Sequence, residues 1–476
     1  MKILRHIIFR AIPFVSMIQI WKGGISQMLL LMLGLGLFSC TDFVEVEPPR
    51  NNLVSETVFE DPATVESALA NLYHGMREEG MVSGSFGVTP LLGIYSDELD
   101  YYGFTTDFTQ LYYHNLTADN GIILGWWSQA YQLIYASNDI IKGVGLSKQL
   151  TNDEKNRFKG QALFVRAYIH SLLVWVYGEV PYITTTDYLE NNQVSRMDVD
   201  EVQEQIIADL EEAVGLLNGL NTAQGESALP DEHAAKALLA RMYLYTENWE
   251  PAVSLSTELI DAFQLEIDLE QVFLKDSPET IWQLKPEDGL NTREAAQLII
   301  QSIPGQTYAV SDALLGAFEN GDLRREHWIG SVSDVDSTIT LHFAHKYKAD
   351  ANETVSTEYS ILFRLGEQYL IRAEAYAHLG DVSRSLTDLN VIRNRAGLPN
   401  MNANTSVALL EAIYQERNVE LFAEQGLRWF DLKRTGRANE VLGILKDNWK
   451  DTDVLLPIPE PELETNPNLL PQNPGY

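Results

Sequence analysis

Apolar residues recur every three to four positions through seven long stretches of the chain, a spacing that predicts amphipathic helices. The first predicted helix, at 61–77, begins with Asp61 as a candidate N-cap and Pro62 at the first helical position. The other six occupy 126–144, 155–178, 198–217, 231–263, 363–397 and 407–436. Strand-like runs are short, as at 279–286 and 337–347. The pattern predicts a mostly α-helical protein with few short strands.

Two of the helical stretches match each other without a gap. The matched pairs, each 133 positions apart, are Ala240 with Ala373, Tyr243 with Tyr376, Asn248 with Asp381, and Ala252 with Ser385. Each stretch reads as helix, polar turn, helix, with small and aromatic residues placed as in the tetratricopeptide repeat of about 34 residues. Such units bury their apolar faces only by stacking. Because the offset is not a multiple of the repeat length, we expect a tetratricopeptide-like scaffold interrupted by irregular, loop-rich insertions.

The N-terminal segment has the composition of a lipoprotein signal. Four basic residues precede the first acidic one: Lys2, Arg5, Arg10 and Lys22. The uncharged run from Met28 to Phe38 is shorter than the roughly 20 residues of a membrane-spanning helix. It leads into Leu37-Phe38-Ser39-Cys40, which resembles the lipobox of bacterial lipoproteins and contains the chain's only cysteine. We therefore expect a signal peptide at 1–39, lipid attachment at Cys40 and a tether at 40–52. An ordinary cleaved signal is the alternative, and a start at Met17 would give a shorter leader.

The charge and the motifs narrow the classes of function. The formal net charge is −33, and removal of the leader with its four positive charges gives −33 − 4 = −37. Nucleic acid is not an expected partner, because phosphate binding requires a basic surface. The chain has no H-E-x-x-H helix, P-loop or G-x-S-x-G motif. His342 and His345 lie in a strand-like stretch and are not expected to share a metal, so we predict neither a metal nor a cofactor.

Several longer motifs resemble the SusD/RagB family. They are "GQALFVRAYIHSLLVWVYGEVPY" (160–182), "YLIRAEAYAHLGD" (369–381), "LNVIRNRAGL" (389–398), "ERNVELFAEQGLRWFDLKRTGRA" (416–438) and "LLPIPEPELETNPNLLPQNPGY" (455–476). The commoner family form E-L-x-x-E-G-x-R is one residue shorter than the segment that runs from Glu420 to Arg428 here. That departure affects the end of a helix and a turn. The resemblance covers nearly all of the chain from Cys40 to Tyr476.

The resemblance implies a function and a location. Members of the family are surface-exposed lipoproteins of Bacteroidetes-type outer membranes that capture oligosaccharide or polysaccharide without catalytic activity. They deliver it to a SusC-like TonB-dependent transporter, which is the implied partner together with outer-membrane lipid at Cys40. The resemblance also implies one SusD-like domain at 53–476, with an N-terminal part at about 53–230 and a C-terminal part at about 231–476. A lipoprotein that binds peptides or another nutrient for the same kind of transporter is the alternative.

A charged stretch at 416–434 favours structure over catalysis. On one continuous helix, Glu416, Glu420 and Glu424 would share a face, with Arg417 and Arg428 at ion-pair spacing. A glycoside hydrolase would need two carboxylates set on either side of the scissile bond. No sequence pattern marks such a pair. Asp97, Glu98 and Asp100 are candidates only in the sense that a chain with many acidic residues offers some by chance. We expect the charged stretch to form structural ion pairs.

An aromatic-rich segment at 95–115 is the best candidate for the ligand site. Sugar rings bind to flat aromatic faces, while a few polar groups fix their hydroxyls. We select Tyr101, Tyr102 and Phe104 from this segment, and Tyr308 and Trp328 from a second irregular region. The alternative is that these aromatic residues cover the core, as we expect of Trp127, Tyr131 and Trp282. The last twenty residues contain six prolines, which predicts an extended tail that wraps the body.

Overall fold

The computed structural model describes residues 58–78, 80–220, 227–350 and 352–476. The predicted signal peptide, the predicted lipid-attachment residue Cys40 and the predicted tether lie outside the described residues. Within the described part of the chain, no helix is both long and apolar enough to span a membrane.

The described chain is mostly helical, as predicted. Its helices are α1 (Pro62–Glu78), α2 (Val88–Tyr95), α3 (Thr106–Tyr112), α4 (Gly121–Leu146), α5 (Asn152–Tyr177), α6 (Tyr188–Asn191), α7 (Val199–Leu217), α8 (Glu232–Tyr245), α9 (Trp249–Ala262), α10 (Arg293–Leu298), α11 (Asp312–Ala317), α12 (Leu323–His327), α13 (Leu365–His378), α14 (Val382–Arg395), α15 (Ser406–Glu420), α16 (Leu427–Arg434), α17 (Ala438–Leu445) and α18 (Glu460–Thr465). Two 3₁₀ turns, Asp451–Val454 and Pro467–Leu469, flank α18.

The strands are short and pair two by two. They are β1 (Leu99–Tyr101), β2 (Thr280–Leu284), β3 (Tyr308–Val310), β4 (Ile329–Ser333), β5 (Thr340–Ala344) and β6 (Ser360–Arg364). The antiparallel pairs are β1 with β3, β2 with β6, and β4 with β5. Both predicted strands are confirmed, as β2 and β5.

The internal repeat is confirmed to the residue. Helices α13 and α14 begin and end 133 positions after α8 and α9, respectively. The turn between the paired helices contains Glu247 at φ 59° in the first copy and Gly380 at φ 79° in the second. Helix α9 packs against α13, so the two copies stack directly although about a hundred residues separate them in sequence. The stack continues through α4, α5 and α7 on one side and α15 on the other.

One predicted helix is broken, and the prediction of a continuous helix at 416–434 is wrong. Helix α15 ends at Glu420 and α16 begins at Leu427. The residues between them include Ala423, Gln425 and Gly426, with φ of 51°, 49° and 68°. A backbone in the left-handed region cannot continue a right-handed helix. The break lies at the position where the segment is one residue longer than the common family form.

Two insertions into the helical scaffold meet at a sheet of two strands. Strand β1 lies between α2 and α3, and β3 lies in the long insertion that separates the two repeats. Leu99 pairs with Val310, and Tyr101 pairs with Tyr308. This long-range pairing brings together the two regions that supplied the candidate site residues.

The core and the tail follow the predictions with one exception. Trp282 is fully buried and Trp127 is 3% exposed, so both belong to the core as expected. Tyr131 is only partly buried and lines a cavity described below. The C-terminal tail wraps the body, where the side-chain amide of Asn473 donates to the carbonyls of Tyr177 and Leu456, at 2.7 Å in each case.

Candidate ligand-binding site

Four exposed aromatic side chains lie in the region where β1 meets α3. Phe86 is 50% exposed, Tyr102 39%, Phe104 98% and Tyr113 52%. We call these four residues, together with Tyr101, the aromatic patch. Only two other aromatic side chains of the described residues, Tyr135 and Tyr188, reach comparable exposure. Exposed aromatic residues that cluster on a monomer mark an interaction site more often than scattered ones do.

The ring of Tyr101 forms the half-buried base of the patch. Its centroid lies 5.8 Å from that of Tyr308 and 5.7 Å from that of Phe108. The hydroxyl of Tyr101 accepts a hydrogen bond from the backbone N–H of Thr105 at 3.2 Å. Packing on one side and a hydrogen bond on the other hold this ring in place. A rigid aromatic base reduces the entropy that ligand binding would otherwise cost.

The chain passes close over Tyr101 at Gly103, because glycine has no side chain there. A Cβ atom at this position would lie 2.6 Å from Cζ of Tyr101, which is far inside van der Waals contact. This close approach carries the chain to Phe104, whose side chain contributes almost no burial to the fold. Exposure of a large apolar ring does not stabilise the fold. Of the patch residues, Phe104 therefore contributes least to stability.

Helix α3 is fixed to the scaffold by Asn120, the N-cap of α4. The Asn120 side-chain oxygen accepts from the backbone N–H of Ile122 at 3.0 Å, which caps the helix. Its Nδ2 donates to the Gln110 side chain at 2.6 Å and to the carbonyl of Asp107 at 3.1 Å. One side chain therefore ties the helix of the patch to the first turn of a long scaffold helix.

Polar groups beside the patch bond to one another and leave the exposed rings uncovered. The hydroxyl of Tyr112 donates to Oδ1 of Asp100 at 2.9 Å, and Nζ of Lys446 lies 4.4 Å from the Tyr112 ring centroid. Burial lowers the pKa of Lys446 to about 8, against the opposing effect of Asp100 and Asp97. Asp100 thus has a structural partner, in agreement with its treatment as a chance candidate for catalysis.

The two acidic residues before β1 position the strand. Asp97 forms a double ion pair with Arg428, with Oδ1 at 2.7 Å from Nε and Oδ2 at 2.6 Å from Nη2. Glu98 is buried, and its Oε1 accepts from the backbone N–H of Ala423 at 3.1 Å. Burial, reinforced by the charge of Asp97, raises the pKa of Glu98 to about 8. Both side chains therefore connect the patch to the break between α15 and α16.

Two of the five predicted ligand-contacting residues do not offer a ring to solvent. Tyr308 is 4% exposed, because it pairs with Tyr101 across the sheet and supports that ring from within. Trp328 is fully buried, and its Nε1 donates to the carbonyl of Leu269 at 2.9 Å. The expectation that Trp328 contacts ligand is therefore corrected, since the ring has no accessible face. Tyr101, Tyr102 and Phe104 keep their place in the candidate site.

Trp328 instead covers a buried cluster of charged side chains. Arg364 donates from Nη1 to Glu420 at 2.6 Å and from Nε to Glu424 at 2.7 Å. Arg324 reaches Glu420 at 3.0 Å, and Arg395 donates to the same carboxylate. Burial opposes ionisation of Glu420, but the surrounding guanidinium groups hold its pKa well below the ordinary range. We call these five residues the ion cluster.

The predicted structural role of the charged stretch is supported, although the partners differ from those expected. Arg417 pairs with Asp431 at 2.7 Å, and Arg428 pairs with Asp97, so neither bonds along the helix as its spacing predicted. The ion cluster joins β6 and α12 of the long insertion to α14 of the second repeat and to α15, which follows it. It therefore fixes the insertion that carries β3 to the scaffold.

Phe86 and Tyr113 belong to the patch but were not selected from the sequence. Tyr113 lies inside the aromatic-rich segment, so the composition of that segment was its signal. Phe86 lies earlier, in a loop that the sequence pattern did not connect with the segment. It reaches the patch because its ring packs against that of Phe108, at a centroid distance of 6.0 Å. Across the described residues, no group of three or more acidic, histidine or cysteine side chains could hold a metal ion.

Two family models match the chain. One, described as starch-binding associating with outer membrane, matches residues 42–244, and the other, described as the SusD family, matches residues 333–476. SusD-like protein P2 of Formosa agariphila is 30% identical to this chain over 94% of its length and 98% of that protein.

Solved structures share the fold. A SusD superfamily protein from Bacteroides vulgatus superposes with a TM-score of 0.78 at 21% identity, over 88% of this chain and all of that one. Surface glycan-binding protein A from Bacteroides thetaiotaomicron, solved in complex with laminarihexaose, superposes with a TM-score of 0.72. It is 19% identical, and the match covers 86% of this chain and 99% of that chain. The mostly helical architecture with few short strands is therefore shared with these proteins.

Proposed function

This chain belongs to the SusD/RagB family, and on that premise we propose that it is a non-catalytic protein that binds oligosaccharide at the aromatic patch. The observation that carries the proposal is the exposure of Tyr102 and Phe104 on a base that hydrogen bonds and ring contacts hold in place. Flat apolar rings beside hydroxyl, amide and carboxylate groups suit the alternating apolar and polar faces of a sugar. The laminarihexaose complex of the structural neighbour agrees with a carbohydrate as the ligand class.

We further propose that the protein is lipid-anchored at Cys40, faces outward from the outer membrane, and delivers its ligand to a SusC-like TonB-dependent transporter. The support is the lipobox-like sequence before Cys40 and the N-terminal family model, whose description associates its members with the outer membrane. The domain boundaries at 53–476, with parts at about 53–230 and 231–476, remain part of this proposal.

The test is isothermal titration of the purified full-length protein with neutral and acidic oligosaccharides, with laminarihexaose as the first probe. We expect one class of glycan to bind and the Phe104→Ala variant to bind it about tenfold more weakly, because loss of an aromatic anchor that contributes about 1.4 kcal/mol lowers affinity by that factor. Tyr102→Ala should act in the same direction. Leu146→Ala is the matched control, since Leu146 is 71% exposed at the other end of α4.

Two results would count against the proposal. Tight binding that survives both aromatic substitutions would remove the patch as the site while leaving the carbohydrate function. Binding of a peptide panel, with none of the glycans bound, would instead favour the alternative of a peptide-binding lipoprotein.

A further inference from the structure

A cavity opens beside α4, and none of the residues of the aromatic patch lines it. Its walls come from three segments: α4, the stretch 181–194 that contains α6, and the C-terminal stretch 462–469. The cavity volume is about 470 Å³, within the range of roughly 300–1,000 Å³ typical of small-molecule sites. Asn466 closes the far side, because its Nδ2 donates to the carbonyl of Val194 at 2.8 Å. The wrapped tail is thus a wall of this cavity.

Four aromatic side chains contribute to the cavity lining. Tyr135 and Tyr188, which are 49% and 67% exposed, stand at its opening. Trp127 and Tyr131 form its floor, with ring centroids 5.0 Å apart. The Tyr131 hydroxyl is held by a hydrogen bond to the carbonyl of Pro181 at 2.9 Å. Every strongly exposed aromatic side chain of the described residues therefore lies either in the aromatic patch or at this opening.

Polar groups in the cavity can accept and donate hydrogen bonds. Asn191 donates from Nδ2 to the carbonyl of Thr185 at 3.0 Å, while its buried Oδ1 has no hydrogen-bond partner among the described residues. That oxygen is enclosed by surrounding atoms and is not open to a ligand. Ser128, Gln132 and Asn192 add further hydroxyl and amide groups to the lining.

The charges of the lining select against an anionic ligand. The lining residues include no lysine, arginine or histidine, and Glu462 is the sole acidic one. Burial raises the pKa of Glu462, although a hydrogen bond from Trp127 opposes that shift. A carboxylated or sulfated sugar would meet this carboxyl group without any cation to compensate its charge. An uncharged ligand with hydroxyl groups and an apolar face fits both the rings and the amides.

The same scaffold helix serves the cavity and the aromatic patch. Residue 121, next to the Asn120 cap that fixes the patch, and residue 131 on the cavity floor are ten positions apart on α4, or about 15 Å along the helix. Between them, Gly125 leaves open space where a side chain would stand. The tail runs alongside, since the backbone N–H of Glu460 donates to the carbonyl of Ala118 at 2.9 Å. The support of the aromatic patch and the floor of the cavity are therefore anchored to the same helix.

We propose that the cavity between α4, α6 and the C-terminal tail is a second carbohydrate site that takes an uncharged sugar unit. The proposal deepens the proposed function and rests on its carbohydrate assignment. Where a glycan is long enough to reach both sites, binding at one raises its effective concentration at the other. Long neutral oligosaccharides should therefore bind more tightly than short ones.

The experiment is ¹⁹F NMR of the full-length protein labelled with 5-fluorotryptophan and titrated with neutral oligosaccharides, laminarihexaose first. The Trp127 resonance is assigned with Trp127→Phe. We expect it to shift saturably with ligand, and the concentration for half-saturation to rise at least about tenfold in Tyr188→Ala and in Ser128→Phe, which fills the cavity. The control variant Leu146→Ala, on the same helix, should leave the titration unchanged.

The outcomes separate this inference from the proposed function. A Trp127 shift that survives Phe104→Ala supports the second site, whether or not the aromatic patch also binds. Calorimetric binding that Phe104→Ala abolishes, with the Trp127 resonance unmoved, overturns the second site and leaves the proposed function intact. A Trp127 shift with charged but not with neutral oligosaccharides contradicts the inferred ligand class. If neither calorimetry nor the Trp127 resonance detects binding of any oligosaccharide in the panel, both proposals are overturned.

Discussion

Substitution of Glu98 by glutamine should change how the stability of the protein depends on pH. The Glu98 carboxyl is fully buried immediately before β1, and its Oε2 has no hydrogen-bond partner among the described residues. Burial first, and then the charge of Asp97, raise its pKa from 4.5 to about 8. The folded protein therefore holds a proton on Glu98 at neutral pH that the unfolded chain releases.

The sign of the effect follows from this difference in proton binding. Below about pH 4.5 both states are protonated and Glu98 imposes no penalty. Between about 4.5 and about 8 the folded state binds more protons than the unfolded state, so the free energy of unfolding falls as pH rises. A shift from 4.5 to about 8 corresponds to about 5 kcal/mol at roughly 1.4 kcal/mol per pH unit. Because the surroundings relax around a charged Glu98, this value is an upper limit. We expect the free energy of unfolding to fall by a few kcal/mol across this pH range.

Glutamine removes the titration while it keeps the size of the side chain and an oxygen that can accept from the N–H of Ala423. The assay is urea unfolding, followed by tryptophan fluorescence, at intervals from pH 4.5 to 8.5. The free energy of unfolding of Glu98→Gln relative to wild type should increase steadily across that interval. The exposed Glu204 supplies a control, Glu204→Gln, which should run parallel to wild type. Parallel curves for Glu98→Gln and wild type would show that burial does not raise the pKa of Glu98 as described.

Three further predictions concern the supports of the aromatic patch. Gly103→Ala should weaken glycan binding measured by calorimetry, because the added methyl group displaces the Tyr101 ring; unchanged affinity would show that the ring position does not matter. Asn120→Ala should lower the free energy of unfolding by about 1–2 kcal/mol through the lost helix cap. It should also weaken glycan binding, because Gln110 loses its hydrogen bond to Asn120. Leu146→Ala controls for an effect of α4 alone. Glu420→Gln should cost about 3–5 kcal/mol in denaturant unfolding, because it removes the buried carboxylate charge that Arg324, Arg364 and Arg395 share. A loss below about 1 kcal/mol would contradict the structural role of the ion cluster.

The helical scaffold could be predicted from sequence because each helix is specified by residues close together along the chain. Apolar spacing places each helix, and the match of Tyr243 with Tyr376 identifies the repeat before any contact is known. The broken helix after Glu420 escaped this reasoning, since apolar spacing continues across the break while the backbone at Ala423 and Gln425 turns left-handed. Spacing along a helix says nothing about positive φ in residues other than glycine.

The candidate site was only partly predictable, because its assembly depends on long-range pairing. The sequence selects Tyr101 and Tyr308 separately, and nothing local indicates that they are partners across one sheet. Composition also cannot separate an exposed ring from a buried one. Phe104 and Trp328 were both selected as candidates from their irregular surroundings, yet the first is 98% exposed and the second is fully buried. The cavity beside α4 escaped for the same reason, since Tyr131 reads as core from its helical spacing.

The most direct test of the central claim is a crystal structure of the protein with the oligosaccharide that binds it most tightly in solution. We expect a sugar ring in van der Waals contact with Tyr102 and Phe104, above the base that Tyr101 forms. A sugar seated elsewhere, with Tyr102 and Phe104 both exposed to solvent in the complex, would contradict it.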